Sequence, residues 1–394
     1  MKLYQPISLF PPLPSEIHKT LDSIPALINE VFPLPKKFKR TLPHDIAELS
    51  RSLTAERGAR RLSYLSSPPM LSAYLRYFLP WNVFRLCRLL PNLPLSLKSG
   101  DLIVDIGSGP LTFAIALWIA KPALRTKSLE FLCMDRVGTV LEAGKKLFAA
   151  LEKKTGGGSW QIKAVKTDVF DYPSRGTSCK DTALLCAVNV FNESLPSHGS
   201  VMKEAEKTAQ LLSRFSAQTP ANTTQYLVVE PGVPQCGAFI ADLRSTLINN
   251  NVFPLSPCPH KTNCPFSNNR RKWCHFAFGT DDAPTPLLHL SASAGVPKER
   301  AVLSFLFAER GAFDGSATAK GQISARILSD VFSLPNGEKA CYGCSEKGLA
   351  LVHGEKSAIG KLASGDLCPL IFTKPEKYDK KSRALLAVPT RSST

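Results

Sequence analysis

The sequence predicts an α/β chain: a parallel, Rossmann-like sheet covered by helices on both faces, with a helical lobe before it and a small β-rich lobe after it. Three observations carry this. From Asp101 onward, apolar strand-like runs alternate with helix-length segments, the rhythm of a parallel sheet. The first run passes directly into a Gly-rich turn, "VDIGSGP". After Gly232 the alternation stops, and cysteines and short strand-like runs take its place.

Taken in order, residues 1–97 mix apolar helical patterns with prolines and form an N-terminal helical, basic lobe. In it, "PMLSAYLRYFLPWNVFRLCRLLP" reads as an amphipathic helix broken at Pro80. Residues 98–250 hold five strands, in "DLIVDIG", "SLEFLCMDRV", "WQIKAVKTD", "DTALLCAVNVFNE" and "TQYLVVEPG", separated by helices. Residues 251–378 carry a cysteine segment and then "RAVLSFLFAER", "SARILSDVF" and "KGLALVHG", expected as strands of the small β lobe. Residues 379–394, basic and rich in Ser and Thr, are expected to be a flexible tail.

Composition narrows the partners. The chain has 394 residues, too many for one small core, and 31 prolines, which favour extended connections. Its longest clean apolar run, "LTFAIALWIA", has ten residues, against the roughly 20 that span a bilayer. No membrane role is expected, no secretory signal is seen in "MKLYQPISLFPPLP", and a cytoplasmic location is the simplest expectation. Lys and Arg number 49 against 32 Asp and Glu, a net charge of +17 that favours polyanions, nucleic acid first. The cations cluster at Lys36–Arg40, Arg57–Arg61, Arg270–Lys272 and Lys380–Arg383.

The Gly-rich turn sets Asp105, Gly107 and Gly109 at the carboxyl end of the first strand, where open parallel sheets bind ligands. Glycine lets the backbone approach a ligand closely. Asp135 ends the second strand, placed to accept from ribose hydroxyls, and Asp168 ends the third, near where an adenine amino group would lie. Three acids at successive strand ends point to S-adenosylmethionine, with NAD the lesser option. The third glycine of a pyrophosphate-binding turn is replaced by Leu111.

The segment "PCPHKTNCPFSNNRRKWCHF" gathers three cysteines and two histidines among cations. Five residues separate Cys258 from Cys264 and nine separate Cys264 from Cys274, unlike the close pairs of zinc knuckles. A fourth ligand is open among Cys344, Cys341, Cys368, His260 and His275. Four thiolates suit either tetrahedral zinc or a four-iron cluster.

At these residues the chain resembles the methyltransferase-like proteins of the mitochondrial small ribosomal subunit and their bacterial relatives. The likeness runs from about Arg57 to Leu351 and rests on "VDIGSGP", "VNVFNESLP", "LVVEPGVPQCGAFIADLR" and, most specifically, "PCPHKTNCP" followed by "WCHF". It implies a class I methyltransferase fold binding S-adenosylmethionine, small-subunit rRNA as partner, a part in ribosome assembly or translation, and a [4Fe-4S] cluster. Its ligands would be Cys258, Cys264, Cys274 and, because "CSEKG" directly precedes a strand, Cys344, with zinc as the alternative metal.

No catalytic residue is assigned. The (Asp/Asn)-Pro-Pro-(Tyr/Phe) motif of exocyclic-amine methylation is replaced by "NVFNE" after the fourth strand. Asn192 and Glu193 stand where a base could be met, and a capping turn is the competing reading. An active RNA methyltransferase and a non-catalytic, RNA-gripping assembly factor both fit.

Overall fold

The computed structural model describes every residue except 1–6, 55–64, 66, 159, 173–181, 196–199, 217–222, 268–271, 312–321 and 391–394. The basic cluster Arg57–Arg61, together with Arg270, Arg271 and Cys179, therefore lies outside the described residues.

The N-terminal segment is helical, as its apolar spacing predicts: α1 (Ser15–Asp22), α2 (Ile24–Val31), α3 (Lys36–Thr54), α4 (Pro68–Ala73) and α5 (Leu79–Leu89). The expected break at Pro80 does not occur. Instead Tyr74–Phe78 forms a π-helical turn that joins α4 to α5, with Pro80 in the first turn of α5. A proline lacks an N–H and clashes with the carbonyl four residues back; the wider turn removes that partner without ending the helix.

The large sheet begins with the five expected strands: β1 (Leu102–Ile106), β2 (Glu130–Asp135), β3 (Gln161–Lys166), β4 (Thr182–Val188) and β5 (Gln225–Pro231). Between and after them come α6 (Thr112–Ala120), α7 (Gly138–Thr155), α8 (Val201–Phe215) and α9 (Pro234–Asn249). All five strands are mutually parallel. β1, β2, β4 and β5 are largely buried on both faces, which is why they read as continuous apolar runs, whereas β3, at the sheet edge, alternates polar and apolar residues and has none fully buried.

Three more strands extend this sheet: β6 (Val252–Ser256), β7 (Phe276–Gly279) and β8 (Arg300–Arg310), with α10 (Thr285–Ser293) between the last two. The order is β3-β2-β1-β4-β5-β8-β6, with β7 also on β8. This corrects the expectation that "RAVLSFLFAER" belongs to the small lobe: β8 lies antiparallel beside β5 in the large sheet. Its apolar run is continuous because neighbours bury both its faces. The arrangement is a class I methyltransferase Rossmann-type sheet preceded by helices.

Because β8 is 11 residues long, β6 pairs with one end and β7 with the other. The cysteine segment is the loop between these two partners of one strand.

A second sheet comprises β9 (Ser324–Ile327), β10 (Phe332–Ser333), β11 (Lys339–Ser345), β12 (Gly348–Gly354), β13 (Leu367–Phe372) and β14 (Leu385–Pro389), with α11 (Lys356–Ile359) between β12 and β13. It closes on itself: β9–β11–β12–β14–β13 and back to β9. The barrel is filled by Ile327, Cys341, Val352, Leu370 and Ala387, with Ile359 of α11 packed among them. The expected tail from residue 379 is thus corrected, since Leu385 and Ala387 alternate into this core as part of β14. No helix among the described residues is long and apolar enough to cross a membrane.

Candidate functional site

At the carboxyl ends of β1–β4 a cavity of about 270 Å³ opens where the sheet order reverses. Gly107, at φ +63°, and Gly109, at φ +53°, turn the chain out of β1 into left-handed conformations that glycine adopts without strain. They do different work. A Cβ on Gly107 would stand 2.5 Å from Val190 Cγ2, so this glycine seats the turn against the loop after β4. A Cβ on Gly109 would meet nothing nearer than 3.9 Å, so this backbone faces open cavity.

The missing third glycine has a counterpart that the sequence pattern concealed. Leu111 is buried at φ +57°, and Gly144 of α7 lies against it. A Cβ on Gly144 would fall 2.4 Å from the Pro110 carbonyl carbon and 2.7 Å from Leu111 Cγ. The close approach usually supplied by a glycine in the turn is supplied from the opposing helix. A glycine in the interior of an otherwise strong helical run was the available signal.

Of the expected acids, Asp135 and Asp168 line the cavity and Asp105 does not. Asp135 Oδ2 accepts from the Gly109 N–H at 2.9 Å and Oδ1 from the Val137 N–H at 2.8 Å. Burial raises its carboxyl above the usual range despite those bonds. Asp168 Oδ1 accepts from the Phe170 N–H at 2.9 Å, and apolar Met134, Val137, Val169 and Phe170 surround that end of the cavity. Asp105 is buried beneath the turn: Cys186 Sγ donates to its Oδ1 at 3.4 Å, while Oδ2 has no hydrogen-bond partner. Burial pushes its carboxyl up to about 7.

Two residues not anticipated complete the rim. Arg136 reaches Asp168 at 3.8 Å and Glu193 at 3.6 Å, bridging the walls. Tyr74, from the π-turn, stands at the far side, its phenol raised well above normal by burial and by the Glu193 and Asp135 carboxylates.

The loop after β4 is held from below. Glu230, fully buried at the end of β5, accepts from the backbone N–H groups of Val190, Phe191 and Asn192 at 3.2, 2.8 and 3.2 Å. It also accepts from the Asn192 side-chain amide at 2.8 Å. Asn192 is thereby committed to shaping the turn, as the capping reading held, whereas Glu193 faces the cavity. Burial pushes Glu230 up to about 7.

The cysteine segment builds a second centre. Cys264, Cys274 and Cys344 meet in one small cluster with Phe266 and Ala241. Cys258 lies within electrostatic reach of all three, and burial raises the Cys264 thiol to about 11 and holds the Cys274 and Cys344 thiols well above the usual range. The Arg244 guanidinium, from α9, lies beside Cys258, Cys264 and Cys344 and donates to the His260 and Thr262 carbonyls at 2.7 and 2.9 Å. His260 Nε2 stands 3.5 Å from Cys344 Sγ. Cys341, one strand position out of phase, points instead into the barrel core with Cys368. Three of the four expected cysteines thus share one cluster with Cys258 near them, but among the described residues no group of His, Cys, Asp or Glu side chains is arranged to hold a metal ion.

Residues 99–346 match the family model described as mitochondrial small ribosomal subunit Rsm22, well over half of the chain. The chain belongs to the Rsm22 family. That stretch takes in the glycine turn, the cavity lining apart from Leu65 and Tyr74, and Cys258, Cys264, Cys274 and Cys344. No curated protein matches the sequence. Among solved structures, a SAM-dependent methyltransferase from Geobacter sulfurreducens in complex with S-adenosyl-L-homocysteine is 12% identical, with a TM-score of 0.33 over 59% of this chain and 91% of its own. Geranyl diphosphate C-methyltransferase from Streptomyces coelicolor is 11% identical, with a TM-score of 0.33 over 71% of this chain and 100% of its own. Fibrillarin from Aeropyrum pernix with bound S-adenosyl-L-methionine is 12% identical, with a TM-score of 0.30 over 57% and 76%. Likeness at this level says nothing about activity, and the fold is read from the strand order itself.

Proposed function

We propose that this Rsm22-family protein binds S-adenosylmethionine in the cavity at the glycine turn and acts on or with the RNA of the small ribosomal subunit during assembly or translation. The observation that carries the cofactor reading is the pairing of the open backbone face of Gly109 with the Asp135 carboxylate beside it. A ribose diol donates to a carboxylate, and an adenine ring would lie among Val137, Val169 and Phe170 beside Asp168. Bound there, the cofactor supplies an electrophilic methyl group, and catalysis of its transfer needs chiefly in-line placement of an RNA nucleophile. Arg136, Glu193 and Tyr74 form the rim that such a nucleophile must pass.

A second reading, a factor that keeps the cofactor pocket without catalysing transfer, is favoured by one observation. The Asn192 amide is held by Glu230, and Asn192 is not among the residues that line the cavity. Incubation of the protein with small ribosomal subunits and methyl-labelled S-adenosylmethionine separates the two. Label in the RNA that disappears with Asp135→Ala supports the enzyme; cofactor binding without any label supports the non-catalytic factor.

The finer reading of the second centre is a [4Fe-4S] cluster on Cys258, Cys264, Cys274 and Cys344, with zinc on the same thiols as its competitor. Donor chemistry supports it: four thiols from two distant segments, with one guanidinium beside them to offset thiolate charge. Iron, sulfide and zinc analysis of anaerobically purified protein decides between them.

A further inference from the structure

The barrel at the C-terminal end has a connectivity that points to its use. Its five closing strands run β9, β11, β12, β13, β14 in sequence, and β9 pairs antiparallel with β11 and with β13. β11 pairs antiparallel with β12, β12 parallel with β14, and β14 antiparallel with β13. In barrel numbering this is the closed order 1-2-3-5-4-1, with a short helix, α11, between strands 3 and 4. That is the Greek-key plan of the OB-fold, whose ligands lie across strands 2 and 3 between the loops joining strands 1–2 and 4–5.

Fold alone assigns no function, so the face must supply the chemistry. On β11, Cys341 points into the barrel and Tyr342 points out. Tyr342 is partly exposed and tilts against Phe332, from the strand 1–2 connection, with ring centroids 5.4 Å apart. Leu351, in register beside Tyr342, is buried with Ala340 and with Ala384 of the strand 4–5 connection, and this small apolar layer backs the partly exposed rings of Tyr342 and Phe332. The strand 4–5 connection, residues 373–384, extends as a hairpin in which the Leu386 N–H bonds to the Lys377 carbonyl. It carries five Lys or Arg against two Asp or Glu, and Lys377, Lys380, Lys381 and Arg383 are exposed. Its two acids are engaged locally, Glu376 with Lys347 and Asp379 with the Ser382 N–H and hydroxyl. Tyr378, 52% exposed, stands on the same hairpin.

We propose that this barrel is a single-stranded RNA-binding module. Bases stack on Tyr342 and Phe332, and the 377–383 hairpin contacts the phosphates. Aromatic faces beside a cationic track are what an unpaired strand needs and a duplex, with its bases stacked inside, cannot use. The choice of RNA over DNA rests on the small-subunit reading above; the binding face does not depend on the cofactor pocket.

The test is fluorescence anisotropy with the full chain and a labelled single-stranded RNA of about 12 nucleotides, within the span of one such barrel. The same-length duplex RNA, the DNA strand and polyglutamate are run alongside. The single strand should bind in preference to the duplex, and Tyr342→Ala should weaken it by about fivefold or more. Because Tyr342 is partly buried, Lys380→Gln with Lys381→Gln gives a second arm on exposed side chains. It should reduce the slope of log affinity against log salt by about 1.4, two single-strand phosphates' worth. The proposal is overturned if both variants bind the single strand within about twofold of wild type, if Tyr342→Ala weakens duplex and single strand alike, or if polyglutamate alone binds and an acidic protein is the partner. A chain that prefers the DNA strand overturns the choice of RNA. Failure of S-adenosylmethionine binding with these RNA results intact would sink the cofactor reading and leave the barrel assignment standing.

Discussion

Gly107 and Gly109, two residues apart in one turn, are not equivalent, and substitution separates them. Gly107→Ala places a methyl against Val190 at a backbone angle that L-residues resist, and should destabilise the fold by about 1–3 kcal/mol in chemical denaturation. Gly109 shares the left-handed backbone, at φ +53°, but its Cβ would have room, so Gly109→Ala should cost less stability than Gly107→Ala while weakening ligand binding, read by denaturation and calorimetry together. Buried acids give a residue-scale pH signature. Asp105 and Glu230 are both raised to about 7 in the fold, so the folded state holds their protons longer than the unfolded chain does. Stability from these groups is complete below about pH 4 and declines as pH rises through about 7. Asp105→Asn should flatten that decline in thermal unfolding followed across this range, and an unchanged profile would remove Asp105 from the explanation. The strand-end acids were legible in the sequence because an acid closing an apolar run is conspicuous. That Asp105 lies under the turn was not, because facing direction within a doubly buried strand leaves no alternating pattern to read.

At the scale of elements, the turn and α7 act as a pair. Gly144→Ala should gain roughly 1 kcal/mol in intrinsic helix propensity. The added carbon would sit 2.4 Å from backbone that cannot rotate aside, and overpacking of this kind costs about 1–3 kcal/mol. The net expectation is a destabilised protein with a displaced turn and weaker cofactor binding; a stabilised variant would contradict the packing argument. Elements also separate the two candidates for the fourth thiol of the proposed metal centre. Strand alternation sends Cys344 out to the cysteine loop and Cys341 into the barrel, so if the proposed centre binds metal, Cys344→Ser should lose it while Cys341→Ser retains it. Metal analysis of the two variants checks this directly. The sequence supported Cys344 only by its place before a strand; the alternation that distinguishes it needed β11 to be recognised as a strand. Likewise β8 was legible as a strand but not as part of the large sheet, because its partners β5, β6 and β7 are fixed by long-range pairing rather than by local pattern.

For the whole molecule, buried arginines help join the large sheet, the cysteine loop and the barrel. Arg326 of β9 donates to the Pro257 carbonyl at 2.9 Å, tying the barrel to the cysteine loop, and Arg244 of α9 ties that loop to the large sheet. With a net charge of +17, RNA affinity should fall linearly in log salt with a slope of about −0.7 per single-strand phosphate contacted. Affinity indifferent to salt would exclude an electrostatic footprint. The most direct measurement is isothermal titration of S-adenosylmethionine into the wild-type protein and into Asp135→Ala. Binding at one site per chain, weakened in the variant by about 1.5–3 kcal/mol through loss of a charged hydrogen-bond acceptor, is the expected result. Absence of binding to the wild type, or equal affinity in the two proteins, would contradict the placement of the cofactor at the glycine turn.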